Sequence, residues 1–137
     1  MSVEITDNTE EVLSALDKQI KAGLEAVGEQ AISHAKSNIT AAGRVNTGNL
    51  RNSIEKRVRM AEKAVYVGTN VEYAVYNEMG TGIYADGGGG RKTPWRYQDA
   101  DGNWHTTRGM KPIHFLKKAA TEHGDEYQKI IEMHLKR

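Results

Sequence analysis

The amino-acid sequence predicts an α+β fold, with a long N-terminal helix and a C-terminal helix packed on a small, mostly antiparallel β-sheet. Three patterns predict it: apolar residues at helical spacing near both ends, alternating apolar residues in the middle, and a long glycine-rich loop after them. The chain has 137 residues and no cysteine. We therefore expect a single domain over residues 1–137, without disulfides or thiolate metal sites.

The N-terminal helix is predicted over about residues 9–40, because apolar residues recur there at steps of three and four. The stripe consists of Val12, Leu13, Leu16, Ile20, Leu24, Val27, Ala31, Ala35 and Ile39. A helix of this length spans about 45 Å, so we expect one end to project beyond the core. Gly23 and Gly28 are weak points inside it, each costing up to about 1 kcal/mol relative to alanine.

The middle of the chain changes to a period of two. Ile54, Lys56, Val58 and Met60 alternate with charged neighbours, and residues 64–68 form a second apolar run, so the two segments are predicted to pair as an antiparallel hairpin. Residues 72–79 are predicted to form a short helix that ends at Gly80. A second hairpin is predicted where Trp95 and Trp104 lie on either side of an Asp-Gly turn.

The segment from Gly80 to Gly90 contains six glycines in eleven residues, with Ile83 and Tyr84 as its apolar side chains. It buries too little surface to offset the entropy of ordering, so a mobile loop is predicted. Together with the second hairpin it forms an expected flexible insertion over residues 80–111. Pro112 then opens the predicted C-terminal helix, whose apolar stripe runs from Phe115 to Leu135.

Charge is distributed unevenly, although the formal net charge is only +1. Residues 1–30 carry seven acids against two lysines, whereas residues 44–63 carry six bases against two acids. Residues 86–118 carry seven bases against three acids. Oppositely charged surfaces on one subunit would suit head-to-tail association of identical subunits. Charge segments of this kind are equally consistent with the solvated surface of an ordinary domain.

No motif in the sequence predicts catalysis, a cofactor or a metal ion. The glycines before Arg91 lack the spacing and the following helix of a phosphate-binding loop. Asp99, Asp101 and Asn103 match the start of a calcium loop, but the glycine comes too early, which favours a hairpin turn. The five histidines include no H-x-x-x-H pair. The serines lack the context of a nucleophile, so an enzyme is not expected.

A basic and aromatic segment is the candidate assembly interface. Its residues are Arg91, Lys92, Trp95, Arg96, Tyr97, Trp104, Arg108 and Lys111. Trp, Tyr and Arg dominate the binding energy of protein interfaces, which favours a protein partner. The alternative is a nucleic-acid-binding module, in which the aromatic rings stack on bases and the cations neutralise phosphates.

Neither a signal peptide nor a run of about 18 apolar residues is present, so we expect a soluble protein without a membrane partner.

Four segments, taken in order, form a recognisable combination: residues 45–54 (VNTGNLRNSI), 67–82 (VGTNVEYAVYNEMGTG), the aromatic hairpin with its 101–104 turn, and 109–116 (GMKPIHFL). Together they resemble the HK-ninety-seven gene-product-ten-like family of phage tail-component, neck and head–tail joining proteins. The motif positions are Thr47, Gly48, Leu50, Ile54, Gly68, Tyr73, Ala74, Tyr76, Glu78, Gly80, Thr81, Pro112, Phe115 and Leu116. Asn46 stands where the family usually has aspartate, and His114 stands where arginine or proline is common.

The resemblance implies a structural virion component without catalytic residues or cofactors. It implies an oligomeric ring at the head–tail junction, with further copies of the chain, head-completion or stopper proteins, and tail-terminator or tail-tube proteins as partners. The protein would be present in the bacterial host cytoplasm during assembly and then in the tail or neck of the virion.

Overall fold

A computed structural model describes residues 9–43, 48–99 and 101–136. The elements in chain order are α1 (Thr9–Ala41), α2 (Asn49–Asn52), β1 (Glu55–Arg59), β2 (Ala64–Gly68), α3 (Ala74–Met79), β3 (Trp95–Gln98), β4 (Trp104–Thr107), α4 (Phe115–Thr121) and α5 (Gly124–Leu135). Two turns of 3-10 helix, Gly82–Tyr84 and Asp86–Gly88, lie between α3 and β3. The predicted α+β class is confirmed, and its strands form two separate antiparallel hairpins.

Helix α1 is the centre of the packing, since β1, β2, α4 and α5 all contact it. Its buried residues, from Gly23 to Ile39, follow the steps of three and four that the sequence predicts. The core cluster consists of Ala35, Ile39, Leu50, Ile54, Ala74, Phe115 and Ala119. Ile39 and Phe115 are its largest fully buried side chains.

Other elements pack close to α1 at the two glycines inside it. A methyl group on Gly23 would lie 2.9 Å from Ile131 Cδ1 of α5. A methyl group on Gly28 would lie 2.8 Å from Lys56 Cδ and 2.9 Å from Val65 Cγ2 of the first hairpin. These positions weaken the isolated helix, but they allow α5 and the hairpin to approach its backbone.

The first hairpin is confirmed, with Lys56 opposite Val67 and Val58 opposite Val65. Lys56 and Val58 are half-buried, and the residues between and beside them are exposed, as the alternation in the sequence predicts.

The C-terminal helix predicted as one element is two helices, because α4 ends at Thr121 and α5 begins at Gly124. Glycine is among the poorest helix formers, so Gly124 adds little to a continuous helix at this point. The break allows α4 and α5 each to pack on α1.

The glycine-rich segment is held by main-chain contacts. The Thr81 N–H donates to the Met110 carbonyl at 2.8 Å, and the Ile83 N–H donates to the Arg108 carbonyl at 3.0 Å. Gly82 has φ +63°, and a Cβ there would lie 1.9 Å from the Arg108 carbonyl oxygen. The number of apolar side chains in the segment does not predict this pairing, because main-chain groups form it. Mobility of the segment stays a prediction.

Candidate assembly surfaces

The second hairpin, β3 with β4, carries large side chains on both faces. Tyr97 lies opposite His105, and the two rings stack with centroids 5.2 Å apart. Side chains alternate along a strand, so Arg96 and Trp104 share the other face. Trp95 and Thr107 are half-buried and every other residue of the two strands is exposed. A two-stranded hairpin is only marginally stable alone in water, so this one gains from further contacts.

Asp99 holds the turn that joins β3 to β4. Its Oδ1 accepts the backbone N–H groups of Asp101 and Asn103, both at 2.9 Å. His105 Nε2 lies 2.6 Å from Asp99 Oδ2. The hydrogen bond from His105, followed by that from the Asn103 backbone, lowers the pKa of Asp99. The hairpin turn that the sequence favoured at this position is confirmed.

Three cations of the basic and aromatic segment lie over aromatic rings. The pairs, with the distance from cation to ring centroid, are Arg96 over Trp104 at 5.2 Å, Arg91 over Trp95 at 5.6 Å and Lys111 over Tyr84 at 5.7 Å. Lys92 and Arg108 are exposed on the chain segments that lead into and out of the hairpin. The structure therefore places all eight predicted interface residues on the hairpin and its two connecting segments, and we call this region the aromatic hairpin.

The first turns of α1 form a second exposed surface. Every residue from Thr9 to Lys18 is exposed. Val12, Leu13 and Leu16 have exposed fractions of 54%, 55% and 40%, although the sequence assigned them to the same stripe as the core residues. The projecting end predicted for this helix is therefore its N-terminal end. We call residues 9–18 the α1 start.

The short helix predicted over residues 72–79 forms as α3, and most of its apolar side chains are exposed. Ala74 and Asn77 are buried, whereas Tyr73 and Tyr76 are exposed. A six-residue helix is too short for its periodicity to show which side faces inward.

Two of the motif segments meet where α3 ends and α4 begins. The Glu78 carboxylate accepts the backbone N–H groups of Leu116 at 2.8 Å and Lys117 at 3.0 Å. This is a cap on the N-terminus of α4, where a negative charge also interacts favourably with the helix dipole. The Thr81 hydroxyl accepts the Met110 N–H at 2.8 Å. Glu78 and Thr81 therefore join the 67–82 segment to the 109–116 segment and the start of α4.

Other motif residues have positions in the backbone or the core. Gly48 has φ +80° immediately before α2, and Gly80 has φ +79° with Pro112 Cδ 2.8 Å from the position of a Cβ. Leu50 and Ile54 belong to the core cluster. Gly68 ends β2, Phe115 is fully buried and Leu116 is half-buried. Thr47 lies outside the described residues.

Some of the charged residues that could support association form ion pairs within the chain instead. Lys56 Nζ of β1 lies 3.2 Å from a Glu25 oxygen and also contacts Glu29, and both acids belong to α1. The hydrogen bond to Glu29 is the largest cause of a raised pKa of Lys56. Lys63 Nζ lies 3.1 Å from Asp17 Oδ1. These pairs attach the first hairpin to α1 and reduce the charge left for a partner.

The family model described as "Bacteriophage HK97-gp10, putative tail-component" matches residues 4–80. This is more than half of the 137 residues. The chain belongs to this family of bacteriophage tail components. The resemblance stated from the sequence is thus confirmed, and the matched range contains its first segment and residues 67–80 of its second. No curated protein and no solved structure matches the chain significantly.

Membership of the HK97-gp10 family gives the protein a structural role in a phage tail. In residues 9–43, 48–99 and 101–136, no helix has the length and apolar character needed to cross a membrane.

Proposed function

We propose that this tail component is a non-catalytic virion protein that forms an oligomeric ring at the head–tail junction and joins the head to the tail. The observation that carries the proposal is the presence of two unlike exposed surfaces on one small subunit, the aromatic hairpin and the α1 start. Contacts between two different surfaces of identical subunits close into a ring when the rotation between neighbours permits it.

The two surfaces have complementary chemistry. The α1 start presents Val12, Leu13 and Leu16 together with the acids Glu10 and Glu11. The aromatic hairpin presents tryptophan, tyrosine and arginine, the residue types that contribute most to binding at interfaces. Opposite charge around an apolar centre steers the encounter and fixes its register. In the proposed ring, the hairpin of one subunit therefore contacts the α1 start of the next.

The proposed ring has two further sets of partners. Head-completion or stopper proteins would bind on one side of it, and tail-terminator or tail-tube proteins on the other. Assembly would take place in the bacterial host cytoplasm, and the ring would then remain in the neck or tail of the virion.

The test is a phage in which the gene is deleted and supplied from a plasmid. Without the protein we expect separate heads and tails in electron micrographs, and with the wild-type protein we expect joined particles. The double variant Arg96→Ala/Trp104→Ala should fold normally and fail to restore joining. Lys129→Ala, an exposed change on α5, serves as the matched control and should restore it. Normal infectious virions in the absence of the protein would refute the proposal.

Nucleic-acid binding by the aromatic hairpin is the competing function, and salt dependence distinguishes it. Neutralisation of phosphates makes affinity fall steeply as salt rises. We expect the purified protein to show no saturable binding to single-stranded DNA or RNA at low salt. Tight binding that is lost on adding salt, and lost again in the Arg96→Ala/Trp104→Ala variant, would favour the competing function.

A further inference from the structure

Two histidines that are far apart in the sequence lie together between α1 and the start of α5. The rings of His34, on α1, and His123, immediately before α5, are parallel within 3° and have centroids 3.4 Å apart. Glu126, in the first turn of α5, places its Oε2 2.9 Å from His34 Nε2 and 3.8 Å from His123 Nδ1. One potential ligand atom from each of the three residues lies within 4.8 Å of the other two.

We propose that His34, His123 and Glu126 bind one divalent transition-metal ion of the zinc type and thereby link α1 to α5. Two imidazole nitrogens and one carboxylate oxygen form a common zinc ligand set, and a water molecule completes the tetrahedron. With zinc–ligand bonds of 2.0–2.1 Å, the ligand atoms of a tetrahedral site are about 3.4 Å apart. The two measured separations from the Glu126 oxygen lie on either side of that value.

A ring rotation would convert the stacked pair into a ligand pair. The nitrogen lone pairs of parallel imidazoles lie in parallel planes, so one ring must turn for both nitrogens to face the same ion. The torsion between Cβ and the ring has a broad energy well, which makes this turn inexpensive.

The surroundings keep the three ligands close and accessible. The Tyr127 ring lies 6.2 Å from the His34 ring and 6.3 Å from the His123 ring, and its hydroxyl donates to the Ala119 carbonyl across the α4–α5 turn. The side chains of His34, His123 and Glu126 are 21%, 30% and 38% exposed, so an ion can enter from solvent.

A metal ion between α1 and α5 would also stabilise a helix pair that has little apolar burial. Helix α5 packs along α1, with Ile131 close to Gly23, yet none of its described residues is buried. Apolar burial therefore stabilises this pairing less than it stabilises the pairing of α1 with α4. Sequence spacing could not predict the cluster, because its ligands come from two helices that only the fold brings together.

The test uses the untagged full-length protein, cleared of metal with EDTA and then freed of the chelator. Titration with Zn²⁺ in a calorimeter should give one ion per chain, and Co²⁺ should give the visible absorption bands of a four-coordinate site. Zn²⁺ should also raise the thermal unfolding temperature, because an ion that binds only the folded state stabilises it. Absence of saturable binding when zinc is in excess would overturn the proposal.

Variants locate the ion. His34→Gln and His123→Gln should each lower the affinity for Zn²⁺ by more than about 100-fold. Loss of a residue that only supports a ligand lowers metal affinity by about 10–100-fold, and loss of the ligand itself should cost more. Glu126→Gln keeps the shape of the side chain but removes its charge, and it should also weaken Zn²⁺ binding. The matched control is His134→Gln, which removes an α5 histidine whose Nδ1 lies 2.9 Å from the Ile130 carbonyl.

Circular dichroism in EDTA establishes that each variant is folded. If a variant does not fold, the histidine ring resonances of the wild-type protein identify the ligands directly, because those of His34 and His123 should shift on adding Zn²⁺. Equal binding by the wild-type protein and the folded His34→Gln and His123→Gln variants, or shifts confined to other histidines, would place the ion elsewhere and refute the site.

Discussion

The two β-hairpins have similar lengths and the same antiparallel pairing, but their environments differ. The first hairpin, β1 with β2, places Lys56 and Val58 against α1 and leaves the neighbouring charged residues in solvent. The second, the aromatic hairpin, carries rings on both faces, and Tyr97 and Trp104 are 48% and 59% exposed. The first hairpin, which packs on α1, alternates half-buried and exposed side chains along β1. The aromatic hairpin carries rings on both faces, and most of its residues are exposed.

Helix α1 shows the same contrast within one element. Its apolar stripe continues without a change of period from the α1 start into the core, yet Leu13 is exposed and Ile39 is fully buried. The pattern identifies which side chains can be buried, and neighbouring elements decide which are buried inside the subunit. The exposed apolar residues of this stripe are where we propose that a partner binds.

The largest expected difference is between two aromatic substitutions. Phe115→Ala removes a fully buried ring and should lower the free energy of unfolding by about 3–5 kcal/mol. Trp104→Ala removes an exposed ring and should change it by less than about 0.5 kcal/mol, while it abolishes joining of heads and tails. Urea denaturation measures both. Comparable destabilisation by the two changes would show that the aromatic hairpin belongs to the folded core.

The second-largest effect is expected at Gly28, where the first hairpin packs close to α1. Gly28→Ala should lower the free energy of unfolding by about 1–3 kcal/mol, because the new methyl group overlaps Lys56 and Val65. This loss exceeds the gain of up to about 1 kcal/mol in helix propensity. The matched control is Gly124→Ala, where no described atom lies within 4 Å of the new methyl group. A more stable Gly28→Ala protein would show that the hairpin can move away from α1 at little cost.

A smaller effect is expected at the cap that joins α3 to α4. Glu78→Gln keeps the shape of the side chain but removes the charge that accepts the Leu116 and Lys117 N–H groups. We expect a loss of about 1 kcal/mol in the free energy of unfolding. Glu72→Gln, an exposed change that precedes α3, is the control and should have no measurable effect. Equal stability of the two variants would mean that the cap contributes nothing.

The smallest effect is a pH dependence confined to the aromatic hairpin. The fold lowers the pKa of Asp99 below its ordinary value of 3.8, with the hydrogen bond from His105 as the largest cause. The stabilisation is therefore complete above about pH 3.8 and is lost as the pH falls through the lower folded-state pKa. Titration of the Asp99 carboxyl carbon by NMR measures it. His105→Gln should move that titration to higher pH, and an unchanged titration would contradict the assignment.

Local patterns were sufficient to predict much of the fold. Steps of three and four predicted α1, alternation predicted β1 and β2, and the Asp-Gly turn between aromatic residues predicted β3 and β4. Each of these signals lies within a few neighbouring residues. The predicted interface residues proved to be adjacent for the same reason, because most of them belong to one hairpin and its connecting segments.

Contacts between distant segments could not be predicted in this way. The break before Gly124 allows α4 and α5 each to pack on α1, and Tyr73 and Tyr76 remain exposed because the core receives Ala74 and Asn77 instead. The pairing of residues 81–83 with 108–110 depends on main-chain hydrogen bonds from Thr81 to Met110 and from Ile83 to Arg108, and apolar periodicity does not reveal such bonds.

The sequence by itself determined the element types, the family and the presence of a basic, aromatic segment, because spacing and residue type are local properties. Only the tertiary structure decided which half of the α1 stripe is buried, which charges are already paired, and that His34 meets His123 and Glu126. The physical reason is that burial, ion pairing and ligand geometry depend on distances between residues far apart in the chain. The packing of the hairpins and helices around α1 sets those distances.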